Sequence, residues 1–177
     1  MKNFFRLTLA VALMFVGATT ASAQKFGRVD LAAIVPNMPE YKEAVANLET
    51  YGKDLQNQLE LIQVEFNQKY AEYEKNKTTL TDTIRQMKEA ELQQLQQRYM
   101  EFQQIAQQDI QKQEAELMEP VYAKADEAVK KVASSAGYIV VFNTAGDQPS
   151  SAGLAYFDTA ALIDITAAVK SELGIAE

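Results

Sequence analysis

"QLQQRYMEFQQIAQQDIQKQEAE", Gln94 to Glu116, is about half glutamine and glutamate, with an apolar residue at every third or fourth position. That spacing predicts a helix with one apolar stripe. The remaining faces are too polar to bury in a globular core. A helix of this kind suits a partner that covers one stripe and leaves the rest in water.

The partner is found upstream. From Glu40 onward, Val45, Leu48, Leu55, Leu59, Ile62, Phe66, Tyr73 and Leu80 follow alternating steps of three and four. In heptad terms Leu48, Leu55 and Ile62 take position d, and Leu59, Phe66, Tyr73 and Leu80 take position a. Gly52, Lys69 and Asn76 interrupt this seam. Pro39 suits the first turn of the helix, and Pro36 breaks any helix begun at Leu31. "KNKTTLTD", Lys75 to Asp82, is poor helix material and predicts a tight tip, with Thr81 or Asp82 as the next cap. The second helix is expected from about Thr83 to Ser134. Its seam is Leu92, Leu95, Tyr99, Phe102 and Ala106. Beyond that point Ile110, Leu117, Val121, Ala125, Ala128 and Val132 follow a period nearer eleven residues per three turns. Pro120 predicts a kink, and Gly137 a C-terminal stop. Two helices joined by one tip make an antiparallel hairpin about 55 Å long.

The flanks read differently. "KFGRVD", Lys25 to Asp30, predicts a first strand, and "YIVVF", Tyr138 to Phe142, a buried one. "NTAGDQPSSAG" is a turn-rich loop, and "LAYF", Leu154 to Phe157, predicts another strand. "DTAALIDITAAVKSELG" predicts a closing helix with Leu162, Ile165, Val169 and Leu173 on one face, ended by Gly174. The fold class is therefore α+β: a long coiled-coil hairpin, 40–119, inserted in a small β-rich body of 24–39 and 120–177. A body of this size buries little surface alone. Several copies sharing one core would supply the shortfall; otherwise the body is a marginal monomer. The residues expected in this oligomerisation body are Phe26, Val29, Tyr138, Ile139, Val141, Phe142, Leu154, Tyr156, Ile165 and Val169.

Lys2 and Arg6, an apolar run from Leu7 to Val16, and Ala21-Ser22-Ala23 form the three parts of a cleavable export signal. Cleavage after Ala23 leaves Gln24–Glu177. The 177-residue chain carries a formal charge of −7, and losing the signal's two cations leaves −9. That balance argues against nucleic acid or anionic lipid held by bulk charge. There is no Cys and no His. Disulfides, thiol chemistry and the usual zinc ligands and catalytic bases are thus excluded. In a bacterial cell, an export signal without a lipid anchor means the periplasm or secretion.

The order of strand, long Gln/Glu/Lys-rich hairpin, "ELMEPVYAKADEAVKKVASSAGYIVVFNT" and "DITAAVKSELG" resembles the Skp/OmpH family of periplasmic chaperones. The resemblance spans essentially all of the chain after the signal. It implies a jellyfish-like homotrimer, a β-rich body with three helical arms around a cavity. It also implies an ATP-independent holdase that keeps unfolded outer-membrane β-barrel proteins from aggregating. The best-known members are strongly basic. Here Glu40 to Glu119 holds nine Lys or Arg and sixteen Asp or Glu, net −7. No lipopolysaccharide site is therefore carried over, and membrane contact is expected to be peripheral at most. The rival reading is a coiled-coil spacer or adaptor of the cell envelope that binds one folded partner.

Catalytic readings are weak. Glu72 and Glu74, or Glu114 and Glu116, sit two apart on a helix and do not face each other, as shared acid–base work requires. Gly146, Gly153 and Ser150-Ser151 lead into a strand rather than a helix and lack the phosphate-loop pattern. No enzyme activity, cofactor or metal is expected. Off the seam lie Tyr51, Leu61, Val64 and Tyr70 in the first helix and Met87, Met100 and Ile105 in the second. These are candidate client contacts, since Met and Tyr adapt to many apolar surfaces. The competing explanation is a wider stripe that packs helices or neighbouring arms together.

Overall fold

A computed structural model of the chain describes residues 24–145, 148–149, 156, 158 and 160–175. The expected signal segment and Leu154 lie outside these residues. Strand β1 (Lys25–Val29) leads into a short helix α1 (Leu31–Ile34) and a 3-10 turn (Val35–Asn37). Helix α2 (Pro39–Asn76) and helix α3 (Asp82–Ala136) follow, then β2 (Tyr138–Ala145), β3 (Gln148–Pro149), β4 (Ile163–Asp164) and α4 (Thr166–Leu173). The sheet order is β3-β2-β1-β4. β1 pairs in parallel with both β2 and β4, and β3 pairs antiparallel with β2. Parallel neighbours need a long crossover. The whole α2–α3 hairpin is that crossover.

Local chemistry sets the boundaries. Asp30 caps α1, its carboxylate accepting from the Ala33 N–H at 3.0 Å. Pro36 confines the next turn to 3-10 geometry, and Pro39 opens α2 at a position where a missing N–H costs nothing. Thr81 occupies the N-cap of α3 without a side-chain cap bond; Asp82 pairs with Arg85 instead. Gly137 ends α3 at φ 74, a left-handed conformation that glycine adopts without steric cost. Pro120 lies within α3, which runs on through it to Ala136.

The 38 residues of α2 span about 57 Å and the 55 of α3 about 82 Å. The surplus length of α3 is spent on the core. Val121, Ala125 and Ala128 pack with Val29, Ile34, Val35, Met38 and Ala44 from the start of the chain and Ile165 and Val169 from its end. Small residues on α3 let the other elements approach closely. Main-chain links tie the layers together. The Ile165 N–H donates to the Arg28 carbonyl at 2.9 Å, and the Asp30 N–H to Thr166 Oγ1 at 3.0 Å.

Two expectations change. Val45 stands 40% exposed, and Ala44 is buried in its place. Along α2, Ala44 and Leu55 are buried and Phe66 is half-buried, eleven apart, with Ile62 also buried seven after Leu55. On α3, Leu95, Ala106, Leu117 and Ala128 repeat at the same spacing. A period of about 3.67 residues lies close to an unstrained helix, so the pair needs little supercoiling, and a strict heptad misplaces its first turns. The second change concerns the closing helix, which begins only at Thr166. Ile163 and Asp164 are instead drawn into β4 beside Gly27 and Arg28, and Arg28 pairs with Asp164 at 3.0 Å. Leu162 is thereby left outside the helix. Of the expected strand at Leu154–Phe157, only Tyr156 is described, and it carries no regular structure.

Gly52 sits inside α2, and a Cβ added there meets nothing within 4 Å. Gly52→Ala should therefore stabilise the protein by about 1 kcal/mol, read as a higher midpoint in urea unfolding.

Candidate functional site

The arm beyond its root is two helices in contact with each other and, among the described residues, with no third layer. Its seam is closed by Leu55, Ile62, Leu95 and Ala106, all buried. The sequence places Lys69 in that seam as an interruption. In the fold its ammonium crosses to Glu91 of α3 at 2.5 Å. Lys88 reaches Glu72 at 3.7 Å, Arg98 reaches Glu65 at 3.5 Å, and the Tyr73 hydroxyl donates to Glu89 at 2.5 Å. Lys124 pairs with Glu40 at the root. Polar pairs between the helices thus run from the root to the tip, alongside the apolar seam and beyond it.

Of the seven off-seam residues named from sequence, six are exposed: Leu61 (68%), Val64, Tyr70, Met87 (63%), Met100 (62%) and Ile105. Tyr51 is half-buried and belongs to the seam side. The six are not one patch. In helical projection, Tyr70 and Met100 fall on one side of the seam, while Leu61, Met87 and Ile105 fall on the other.

One side is more than scattered residues. Midway along the arm an open groove of about 410 Å³ is lined by Ile62, Gln63, Phe66, Leu95, Gln96, Tyr99 and Met100. Tyr70 stacks on Phe66, with ring centroids 6.0 Å apart and planes 11° from parallel. Sequence reasoning treated Phe66 and Tyr99 as ordinary seam positions and missed this groove. The available signal was two large rings, Phe66 and Tyr99, about one helical turn apart along the seam of the two helices.

In the body, Val29, Ile165 and Val169 are buried, and Tyr138, Val141 and Phe142 are half-buried. Phe26 (37%), Ile139 (56%) and Tyr156 (80%) are exposed. Val140 and Ile163 are also exposed, so the sheet keeps apolar surface in water. Phe26 stands opposite Val140 across the β1–β2 pair. No group of three or more potential metal ligands occurs among the described residues, and no described helix is long and apolar enough to cross a membrane.

The sequence profile of the outer membrane protein (OmpH-like) family matches residues 25–173. No curated protein matches the chain significantly. Among solved structures, the chain is similar to a crystal structure from Caulobacter crescentus CB15 provisionally described as an outer membrane chaperone (OmpH-like). The TM-score is 0.69 at 18% identity, over 89% of this chain and 88% of that one. At that identity the likeness shows a shared fold.

The pairs across the arm carry a pH signature. The hydrogen bond from Lys69 holds the Glu91 carboxyl below its ordinary 4.5, and the same bond raises Lys69 above its ordinary 10.5. The depressed carboxyl contributes stability that is present above 4.5 and lost as pH falls below it. The raised ammonium contributes stability that is present below 10.5 and lost as pH rises beyond it. Glu40, lowered chiefly by its hydrogen bond from Lys124, adds to the acid limb. Glu91→Gln should reduce the loss of thermal stability between pH 6 and pH 3, measured by circular dichroism.

Proposed function

Because the chain belongs to the OmpH-like outer membrane protein family, we propose that it is an ATP-independent periplasmic holdase, exported by its N-terminal signal. Its clients are unfolded outer-membrane β-barrel proteins. The observation that carries this reading is the arm itself. It is a two-helix wall whose polar faces keep it in solution and whose exposed Leu61, Val64, Tyr70, Met87, Met100 and Ile105 are spread along its length and around its sides. Single contacts of this kind are weak, and many of them on one unfolded chain add through effective concentration. Adaptable Met and Tyr contacts hold many sequences and enforce no particular one.

A cavity needs more than one arm. The exposed apolar positions of the sheet, Phe26, Ile139, Val140 and Ile163, support assembly of several copies through the body. Three copies would set three arms around one space. The acidic arm supports neither nucleic acid nor anionic lipid as a partner.

Dilution of a urea-denatured outer-membrane barrel protein, with and without Gln24–Glu177, tests the holdase directly. Suppressed light scattering and a complex with a few copies per client are expected. Replacing Tyr70, Met87 and Met100 together by Ser should shorten client retention without changing the oligomer. No suppression by a stable oligomer would favour a structural adaptor with one folded partner.

Val140→Asp places a carboxylate opposite Phe26 on the exposed side of the sheet. Sedimentation velocity should then show a smaller species than wild type, with the helical content retained. An unchanged sedimentation coefficient would remove this surface from the assembly.

A further inference from the structure

The mid-arm groove differs chemically from the rest of the arm. Between Glu40 and Glu119 the chain carries net −7. Yet every side chain lining the groove is uncharged: two aliphatic, two aromatic, one thioether and two amides. Its volume of about 410 Å³ falls within the range of small-ligand sites, about 300–1,000 Å³. Phe66 and Tyr99 contribute ring surface, and Met100 stands 62% exposed beside them. Ring edges and faces favour another ring over an aliphatic chain of equal area, and a thioether adds a sulfur–aromatic contact. Gln63 and Gln96 flank the apolar part and offer both donors and acceptors, which a peptide group or an indole N–H needs when it leaves water.

We propose that this groove is a subsite for an aromatic side chain on an extended, uncharged segment of an unfolded polypeptide, with the rings of Phe66 and Tyr99 and the Met100 thioether holding the aromatic group and Gln63 and Gln96 bonding the adjoining backbone. It deepens the holdase reading and rests on it for its biological client. The neutral lining fixes the charge of the occupant. A carboxylate would leave water for a site with no cation, inside an arm already negative. A cation would gain only the diffuse field of the arm and would leave the amides poorly used. The other exposed residues are single side chains on convex helix surface. Leu61 at 68% and Met87 at 63% are exposed and do not line this groove. The arm thus holds most of a client loosely and one aromatic residue per arm with preference.

Met87 makes an internal control, because its exposure, 63%, nearly equals the 62% of Met100. The full Gln24–Glu177 protein, labelled with carbon-13 at its methionine methyls, is titrated with N-acetyl-tryptophanamide, N-acetyl-leucinamide and N-acetyl-argininamide. Tryptophanamide should shift the Met100 methyl along a saturable curve, with Met87 moving little. Leucinamide should bind at least about threefold more weakly, and argininamide weaker still. Gln63→Ala should weaken tryptophanamide binding, whereas Leu61→Ser should leave it unchanged. Equal shifts at Met87 and Met100, or leucinamide binding as tightly as tryptophanamide, would overturn the proposal. Client aggregation is followed separately with the same protein. Suppression without selective shifts at Met100 defeats the subsite and leaves the holdase standing; selective shifts without suppression do the reverse.

Discussion

The parallel pairing of β1 with β2 is the closure on which the molecule depends. It joins Lys25–Val29 to residues more than a hundred positions later and so fixes where both ends of the hairpin must meet. Without it, two long amphipathic helices would share only their mutual stripe and have no anchored root. With it, α1, the last turns of α3 and α4 cover one side of the sheet. Met38 and Ile34, each fully buried, sit at the junction of arm and body. The contact is intimate enough that a side chain at Gly27 would approach the Tyr138 ring to 3.1 Å.

From that root outward, the cost of building an arm is low. A hairpin exposes every residue except one stripe per helix, so Gln, Glu and Lys can fill the remainder. The stripe thins toward the tip, where Lys69, Tyr73 and Lys88 meet acidic partners across the helix pair. Such exposed pairs contribute little each and are screened by salt. The distal arm is therefore the part least held by burial, which suits a surface that must accommodate varied partners. At mid-arm, Phe66 and Tyr99 line an open groove beside the seam. The groove lies directly against the buried seam residues Ile62 and Leu95.

Much of this was legible from residues alone. Pro39, the Lys75–Asp82 break and Gly137 marked the helix ends within a few residues, because caps and breakers act through their immediate neighbours. The exposure of Leu61, Val64, Tyr70, Met87, Met100 and Ile105 followed from their phase against the seam. Val45 was misplaced because the stripe drifts relative to a heptad toward the root, and Tyr51, one turn from Leu55, sits at the stripe's edge. β4 was not legible. Ile163 and Asp164 have only a two-residue pairing with Gly27 and Arg28, and their apolar spacing with Ile165 and Val169 imitates a longer helix.

The sequence by itself determined that there would be two long helices, where they would turn, that most off-seam apolar residues of the arm would face solvent and that thiol and imidazole groups are missing, since each depends on local periodicity or on residue types present anywhere in the chain. Tertiary structure alone decided which cations met which carboxylates, that β1 would lie between β2 and β4, and that Phe66, Tyr99 and Met100 would frame a groove between two amides. Those outcomes depend on the register between segments far apart in the chain. Register is set by the fit of whole faces against one another, which no local window contains.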